Sequence, residues 1–443
     1  MITFLKAANN NQDKIMISFG ENHKSAQGAK ELDKQDGLHS FRNRFNFPLN
    51  EKGEKILYFT GHSLGLMPKL AQEYIQEELN AWKAFAVEGH FNGKHPWMTY
   101  QEGLSEAFTE VVGAHSSEIA IMNTLTVNLH LMLVSFYRPT KKRFKILIEN
   151  NTFPSDKYAV DSQARFHGYD PKEAIVELKP SSDGMTVSED SLIEQIKEHG
   201  DELALVMLGN CNYLSGQYFD IPKVVQAAKE VGAFVGFNLA HGAGNLILDL
   251  HKDEADFAVW CTYKYLNAGP GALAGAFIHQ KYHKDKTIPR LEGWYGNHKS
   301  SRFKMRPEFE SSGSADSWIL SNPPIISMAP IRASMELVNE AGFKNLRKKG
   351  DALTCYMEWL LKEECGETVT IVTPAYNSEK QTRGSMLCLK MGERAKEIGD
   401  ALKANGAIVD FREPDILRMA PAPLYNSFED VYELIQIIKQ TLS

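Results

Sequence analysis

The fold is read from Phe257-Ala258-Val259-Trp260-Cys261-Thr262-Tyr263-Lys264-Tyr265-Leu266-Asn267-Ala268-Gly269-Pro270-Gly271. It opens with an apolar run of strand character, passes through a lysine flanked by aromatics, and ends in glycines that continue to Gly275. Similar short runs stand at Lys145–Glu149, Leu203–Leu208, Ala233–Asn238 and Ala274–His279. Helical patterns separate several of them. In Pro222–Val231, for example, Val224, Val225, Ala228 and Val231 share one face. Strands this apolar, with helices between them, predict an α/β fold: a mostly parallel sheet covered by helices on both faces. Such sheets bind ligands beyond the carboxyl ends of their strands, and Lys264 follows one of those ends.

Residues 1–50 are polar and read as an N-terminal arm with little core of its own. Residues 51–345 read as a large domain and 346–443 as a smaller C-terminal α+β domain, which the N-terminal residues could join. Leu70, Tyr74, Ile75, Leu79 and Trp82 predict a helix over Lys69–Trp82, entered through Pro68. Asn322-Pro323-Pro324 ends the alternation, and one long helical stretch follows to about Lys349. With 43% hydrophobic and 24% charged residues, the composition is that of a globular protein. The net charge of -7 and the lack of any long basic block argue against nucleic-acid or membrane partners. Lys141-Lys142-Arg143 reads as a solvated turn. Cys211, Cys261, Cys355, Cys365 and Cys388 lack the spacing of a disulfide framework or a zinc knuckle, so no metal is expected. Met1–Asn10 is too short and polar for a leader, and a cytoplasmic location is the simplest expectation.

A lysine between a buried strand and a glycine-rich loop suits an aldehyde cofactor such as pyridoxal phosphate, because partial burial yields a nucleophilic amine. A plain loop lysine is the competing reading. Asn238 and His241 end the neighbouring strand, where they could reach a cofactor ring or simply be satisfied structural groups. Asn123-Thr124-Leu125-Thr126-Val127-Asn128 precedes an apolar helical stretch, Leu129–Phe136. That start could bind a phosphate or be an ordinary threonine cap. The loop Gly89–Trp97, which holds His90, and the pair Trp294-Tyr295 could wall a substrate or merely pack. Arg418 could grip a carboxylate or form a common ion pair.

Taken in order, these segments resemble kynureninase, a fold-type-I pyridoxal phosphate enzyme akin to class V aminotransferases. The wording lies in His62-Ser63-Leu64-Gly65-Leu66, Gly89-His90 with Pro96-Trp97, and Leu125-Thr126-Val127-Asn128-Leu129-His130. It continues in Phe153-Pro154-Ser155-Asp156, Ser215-Gly216-Gln217, Tyr263-Lys264-Tyr265-Leu266-Asn267-Ala268-Gly269 and Gly293-Trp294. Ser321-Asn322-Pro323-Pro324 and Pro423-Leu424-Tyr425-Asn426-Ser427 complete the set. The resemblance implies hydrolysis of L-kynurenine, or its 3-hydroxy form, to L-alanine and an anthranilate, within tryptophan catabolism and NAD biosynthesis. It implies Lys264 as the lysine that holds the cofactor. Leu125, Thr126 and Tyr263 fall at phosphate-side positions, and Phe153 falls over the ring. Asp156, Asn238 and His241 fall at cofactor-contacting positions. Ser63, His90, Trp294 and Asn322 fall around the substrate, the last two also within reach of the cofactor. Arg418 falls at the α-carboxylate. It also implies a homodimer with active sites at the subunit interface.

The sequence departs from that pattern in places. Asn238 stands where the family has an aspartate paired with the pyridine nitrogen, and His62 where asparagine is common. Leu214 replaces a common tyrosine, and Ser314–Trp318 is worded differently. Two other readings stay open here. One is a related enzyme with another amino-acid substrate, such as a desulfurase or an aminotransferase. The other is a homologue whose turnover is impaired by Asn238.

Overall fold

The computed structural model describes residues 17–442, which fall into two compact units. Met1–Asn10, read above for a leader, lie outside the described residues. The larger unit comprises Leu70–Tyr213 and Phe219–Leu337. Its centre is a seven-stranded sheet of β1 (Ile119–Met122), β2 (Lys145–Ile148), β3 (Ile175–Glu177), β4 (Leu203–Gly209), β5 (Phe234–Asn238), β6 (Phe257–Trp260) and β7 (Ala274–Ile278). The spatial order is β1-β7-β6-β5-β4-β2-β3. β3, β2, β4, β5 and β6 pair in parallel, while β7 runs antiparallel to both of its neighbours. The expected strands are all present and end within one residue of the apolar runs.

Burial on both faces explains why these strands read as unbroken apolar runs. Val206, Val235, Ala258 and Ala276 are all inaccessible to solvent. Phe136 of the helix Leu125–Phe136 stacks on Phe257 of β6 with ring centroids 5.0 Å apart. Trp318 is buried nearby, and its indole N–H donates to Ser135 Oγ at 2.9 Å. Gly275 has a specific reason: a side-chain carbon there would lie 2.1 Å from the Trp260 indole on the paired strand.

The smaller unit joins the described residues up to Lys69, Leu214–Tyr218 and the described residues from Val338 onward. It contains a four-stranded antiparallel sheet of β8 (Thr370–Ile371), β9 (Leu387–Lys390), β10 (Asp410–Arg412) and β11 (Ile416–Met419), in the order β8-β9-β11-β10. The units therefore divide at Leu70 and Val338 rather than at 51 and 346. The reason is packing: the helix Ala26–Lys34 buries Ala29 and Leu32 in the core of the smaller unit. Its Asp33 also accepts the amides of Phe428 and Glu429 at 2.8 and 3.0 Å, capping the C-terminal helix Phe428–Leu442. So the N-terminal segment is more than an arm.

Three other expectations change in detail. The helix Lys69–Trp82 spans Leu70–Phe85. The helix expected from Leu129 starts at Leu125. The long stretch after Pro324 is two helices, Ile325–Ala341 and Phe343–Cys365, broken at Gly342 with φ +76°. The basic turn behaves as read: Lys142 pairs with Asp201 at 2.6 Å, and Arg143 donates to the Gly200 and Leu203 carbonyls. Among the described residues no helix is long and apolar enough to cross a membrane.

Candidate active site

The carboxyl ends of β2, β4, β5 and β6 open into one cavity of the larger unit, and Lys264 lines it. The register sets Gly209 of β4 beside Asn238 of β5, and Asn238 beside Val259 of β6. Leu125, Thr126, Phe153, Asp156, Asn238, His241, Tyr263 and Lys264, all chosen from the sequence, line this cavity together. Lys264 Nζ lies 3.3 Å from His241 Nε2, and the Tyr265 hydroxyl lies 3.5 Å from His241 Nδ1. The imidazole thus stands between the lysine amine and a phenol.

Two helices start at the cavity. Leu125–Phe136 begins after Thr124, which provides no side-chain cap, and Pro154–Phe166 begins after Phe153, which provides none either. First-turn amides lack partners within their own helix, so both starts offer N–H donors and positive dipole ends. Thr126 and Ser155 bring their hydroxyls within 2.9 Å of each other at these starts. Phe153 is 41% exposed, high for a large aromatic, which leaves a ring face for stacking. Its edge packs on Tyr213 at 5.3 Å.

The floor is acidic. Asn238 Nδ2 donates to Asp156 Oδ2 at 2.6 Å, while Asn238 Oδ1 accepts the Ala240 amide at 2.9 Å. The backbone therefore fixes the amide with its N–H side toward Asp156. Asp156 Oδ1 is buried without a hydrogen-bond partner. Burial pushes the Asp156 carboxyl up to about 6, although the Asn238 hydrogen bond and the Lys264 charge pull it down. Glu149, next after β2, also lines the cavity. Burial drives it up to about 8, opposed by a hydrogen bond from Asn212 and reinforced by the Asp156 charge. Glu149, Ser155, Gly209, Cys211, Ala240 and Tyr213 were not singled out from the sequence. Ser155, inside the quoted Phe153–Asp156 segment, and Ala240, between Asn238 and His241, carried a signal through their neighbours.

His90, Trp294 and Asn322 belong to the larger unit but do not line this cavity. His90 ends a short helical turn, with Nδ1 2.9 Å from the Val87 carbonyl and its ring edge-on to Trp97. Trp294 is 36% exposed and packs on Phe303, and Asn322 is exposed. Ser63 and Arg418 belong to the smaller unit, where Ser63 sits in the turn after Thr60 and Arg418 is buried in β11.

The cavity residues fit pyridoxal phosphate on four counts. There is an amine for its aldehyde, a pair of helix starts with hydroxyls for its phosphate, and an open aromatic face for its ring. There is also a buried carboxylate oxygen lacking a partner for its pyridine nitrogen.

A family model described as "Kynureninase C-terminal domain" matches residues 346–438. The chain is 52% identical over 415 residues to a kynureninase of Myxococcus xanthus, covering 93% of this chain and 96% of that one. It is 47% identical over 408 residues to a kynureninase of Koribacter versatilis, covering 92% and 96%. Among solved structures it is similar to the cystine C-S lyase C-DES, with TM-score 0.72 and 17% identity, covering 86% of this chain and 97% of that one. A cysteine desulfurase from Thermococcus onnurineus gives TM-score 0.71 and 16% identity, covering 87% and 94%. At such identities the solved structures speak for the fold alone.

Proposed function

The chain belongs to the kynureninase family, and from that premise we propose that the Lys264 cavity is its catalytic centre. The protein is a pyridoxal-phosphate-dependent hydrolase acting on a carbon–carbon bond. It cleaves L-kynurenine, or the 3-hydroxy form, between Cβ and Cγ to L-alanine and the corresponding anthranilate. The observation that carries the site assignment is the meeting of Lys264, His241, Asp156 and two helix starts in one cavity.

When bound, pyridoxal phosphate supplies an electron sink for the substrate α-carbon. Lys264 holds the cofactor and then moves the proton at Cα, with His241 at 3.3 Å orienting its amine. Thr126, Ser155 and the first-turn amides of their helices hold the phosphate, with Leu125 and Tyr263 beside it. Phe153 covers the ring. Asp156 supplies the anionic oxygen for the pyridine nitrogen, and Asn238 fixes its carboxylate in place. Ser63 binds substrate, and Arg418 takes its α-carboxylate through a planar fork.

We further propose a cytoplasmic homodimer. Exposed Trp294 and Asn322, together with His90, are left over from the cavity of their own chain, which supports a role in completing the partner's site. The absence of disulfides among the five cysteines supports a reducing compartment.

The desulfurase reading finds no support in the thiols. A desulfurase needs a reactive cysteine on a mobile loop. Burial pushes up the Cys261, Cys355, Cys365 and Cys388 thiols, and the last three sit within helices or a strand. Cys211 is buried as well.

The test is direct. The purified protein, saturated with pyridoxal phosphate, should release fluorescent anthranilate from L-kynurenine and alanine in equal amount. Release of neither alanine nor an anthranilate from L-kynurenine and from 3-hydroxy-L-kynurenine alike, with cofactor bound, would end the proposal.

A further inference from the structure

The smaller unit shows what holds Arg418. β10 and β11 pair Asp410 directly opposite Arg418, so the two side chains rise from the same face of the sheet. Arg418, only 2% exposed, donates Nε to Asp410 Oδ2 at 2.6 Å, and its Nη2 donates to the same oxygen. One edge of the guanidinium is therefore committed to Asp410. Arg412 Nε also reaches that oxygen, at 3.0 Å.

A further group approaches from a distant part of the chain. His62 is fully buried, and its Nε2 lies 3.5 Å from Asp410 Oδ2, a long contact. The turn that delivers it is held by two sets of backbone contacts: the Ser63 and Leu64 amides donate to the Thr60 carbonyl, and Thr60 bridges to Ala420 just past β11. Burial alone would raise the Asp410 carboxyl. The contact with His62 and the charge of Arg418 outweigh it and hold the group well below the usual carboxylate range. Asp410 is thus favoured as an anion, with the guanidinium groups of Arg418 and Arg412 beside it.

An arginine grips a carboxylate in bidentate fashion only when its plane is set beforehand, and its side chain has many rotamers. We propose that His62 and Asp410 are positioning residues that set the guanidinium plane of Arg418 for carboxylate recognition. His62 holds Asp410, and Asp410 holds Arg418 by its Nε edge. The proposal rests on the reading of Arg418 as the α-carboxylate ligand. Neither residue touches substrate. Their loss should weaken ligands that carry an α-carboxylate and spare those that do not.

The experiment uses the cofactor-loaded full chain with L-kynurenine as substrate and kynuramine, its decarboxylated counterpart, as inhibitor. Asp410→Asn should raise KM for L-kynurenine about tenfold to a hundredfold, keep kcat within about threefold, and leave kynuramine inhibition within about twofold. His62→Leu, which fills space without a donor, should follow Asp410→Asn. His62→Gln, whose amide N–H reaches the place of Nε2, should stay near the parent; a role in packing alone would favour Leu over Gln. Cofactor absorbance and melting temperature establish that each variant is folded. If Asp410→Asn does not fold, the His62 pair decides by itself. Arg418→Lys separates the two ideas. If it raises KM while Asp410→Asn and His62→Leu do not, the positioning pair is refuted and the Arg418 reading stands. If Arg418→Lys leaves KM unchanged, the Arg418 reading itself falls.

Discussion

Asn238 and Asp156 share a hydrogen bond of 2.6 Å from amide to carboxylate, so the position expected to hold an aspartate instead holds the donor that orients one. The negative charge has not left the cavity; it resides on the neighbouring side chain. Asn238→Asp should therefore raise anthranilate release by less than about tenfold, or ~1.4 kcal/mol. Asp156→Asn, which removes the orphaned acceptor, should lower it by about a hundredfold or more. Rates compared under saturating pyridoxal phosphate decide this. A large gain in the first variant with little loss in the second would mean that Asp156 does not serve the ring nitrogen.

The Asp156 carboxyl also predicts a pH signature in the cofactor-free protein. Its folded value is raised from 3.8 to about 6. A raised value means that the stabilising contribution is complete below about pH 4 and is lost as pH rises through about 6, a change of about 2–3 kcal/mol. Asp156→Asn lacks this loss. Its melting temperature should exceed that of the parent by more at pH 7.5 than at pH 5, and calorimetry at the two pH values checks it. A constant difference would contradict the assigned burial.

Lys264→Ala should abolish covalent attachment of the cofactor. After borohydride reduction of the parent, peptide mapping should place the pyridoxyl group on Lys264. Labelling of any other lysine would remove Lys264 from the centre of the site.

A role for Trp294 in the partner's site predicts complementation. Lys264→Ala and Trp294→Ala should each be inactive or nearly so. Mixed after mild dissociation, they should recover up to about a quarter of parental activity, because half of the dimers then hold one intact site of two. No recovery from a mixture shown to exchange subunits would assign Trp294 to its own chain.

Gly275→Ala should cost about 1–3 kcal/mol of stability, since the added carbon meets the Trp260 indole at 2.1 Å inside a packed sheet. Thermal unfolding reads it, and an unchanged melting temperature would show that Trp260 can move aside.

The sheet was legible because strands buried on both faces need apolar residues at every position, and no other constraint blurred that signal in β2, β4, β5, β6 and β7. The start of the helix Leu125–Phe136 was harder to place, because Leu125-Thr126-Val127-Asn128 mixes β-branched and polar residues that suit a cap as well as a first turn. The helix Ala26–Lys34 was missed because its buried face is made chiefly of small or single residues, Gly28, Ala29 and Leu32. Its partners also lie hundreds of residues away. Lys264, Asn238 and Thr126 were legible because strand ends and helix starts are marked in sequence. Glu149 was not, since nothing local distinguishes a buried glutamate from one that ends a strand in water. Asp410 was invisible for a related reason: its importance comes from facing Arg418 across a ladder whose register only the folded sheet reveals.

Within the seven-stranded sheet, the antiparallel course of β7 has a consequence for the order of assembly. The chain from β6 to β7 returns directly as a neighbour in the sheet, with Trp260 opposite Gly275, and needs no crossover helix. Closing so short a loop costs little chain entropy, whereas the parallel pairs must each wait for a long excursion. The segment bearing Lys264 is therefore spanned like a bridge between two stems that can form early. Pulsed hydrogen exchange during refolding should find the amides of Ala258 and Phe277, a directly opposed pair, protected before those of Val206 and Val235. The lysine would then occupy its loop before the other walls of the cavity arrive around it.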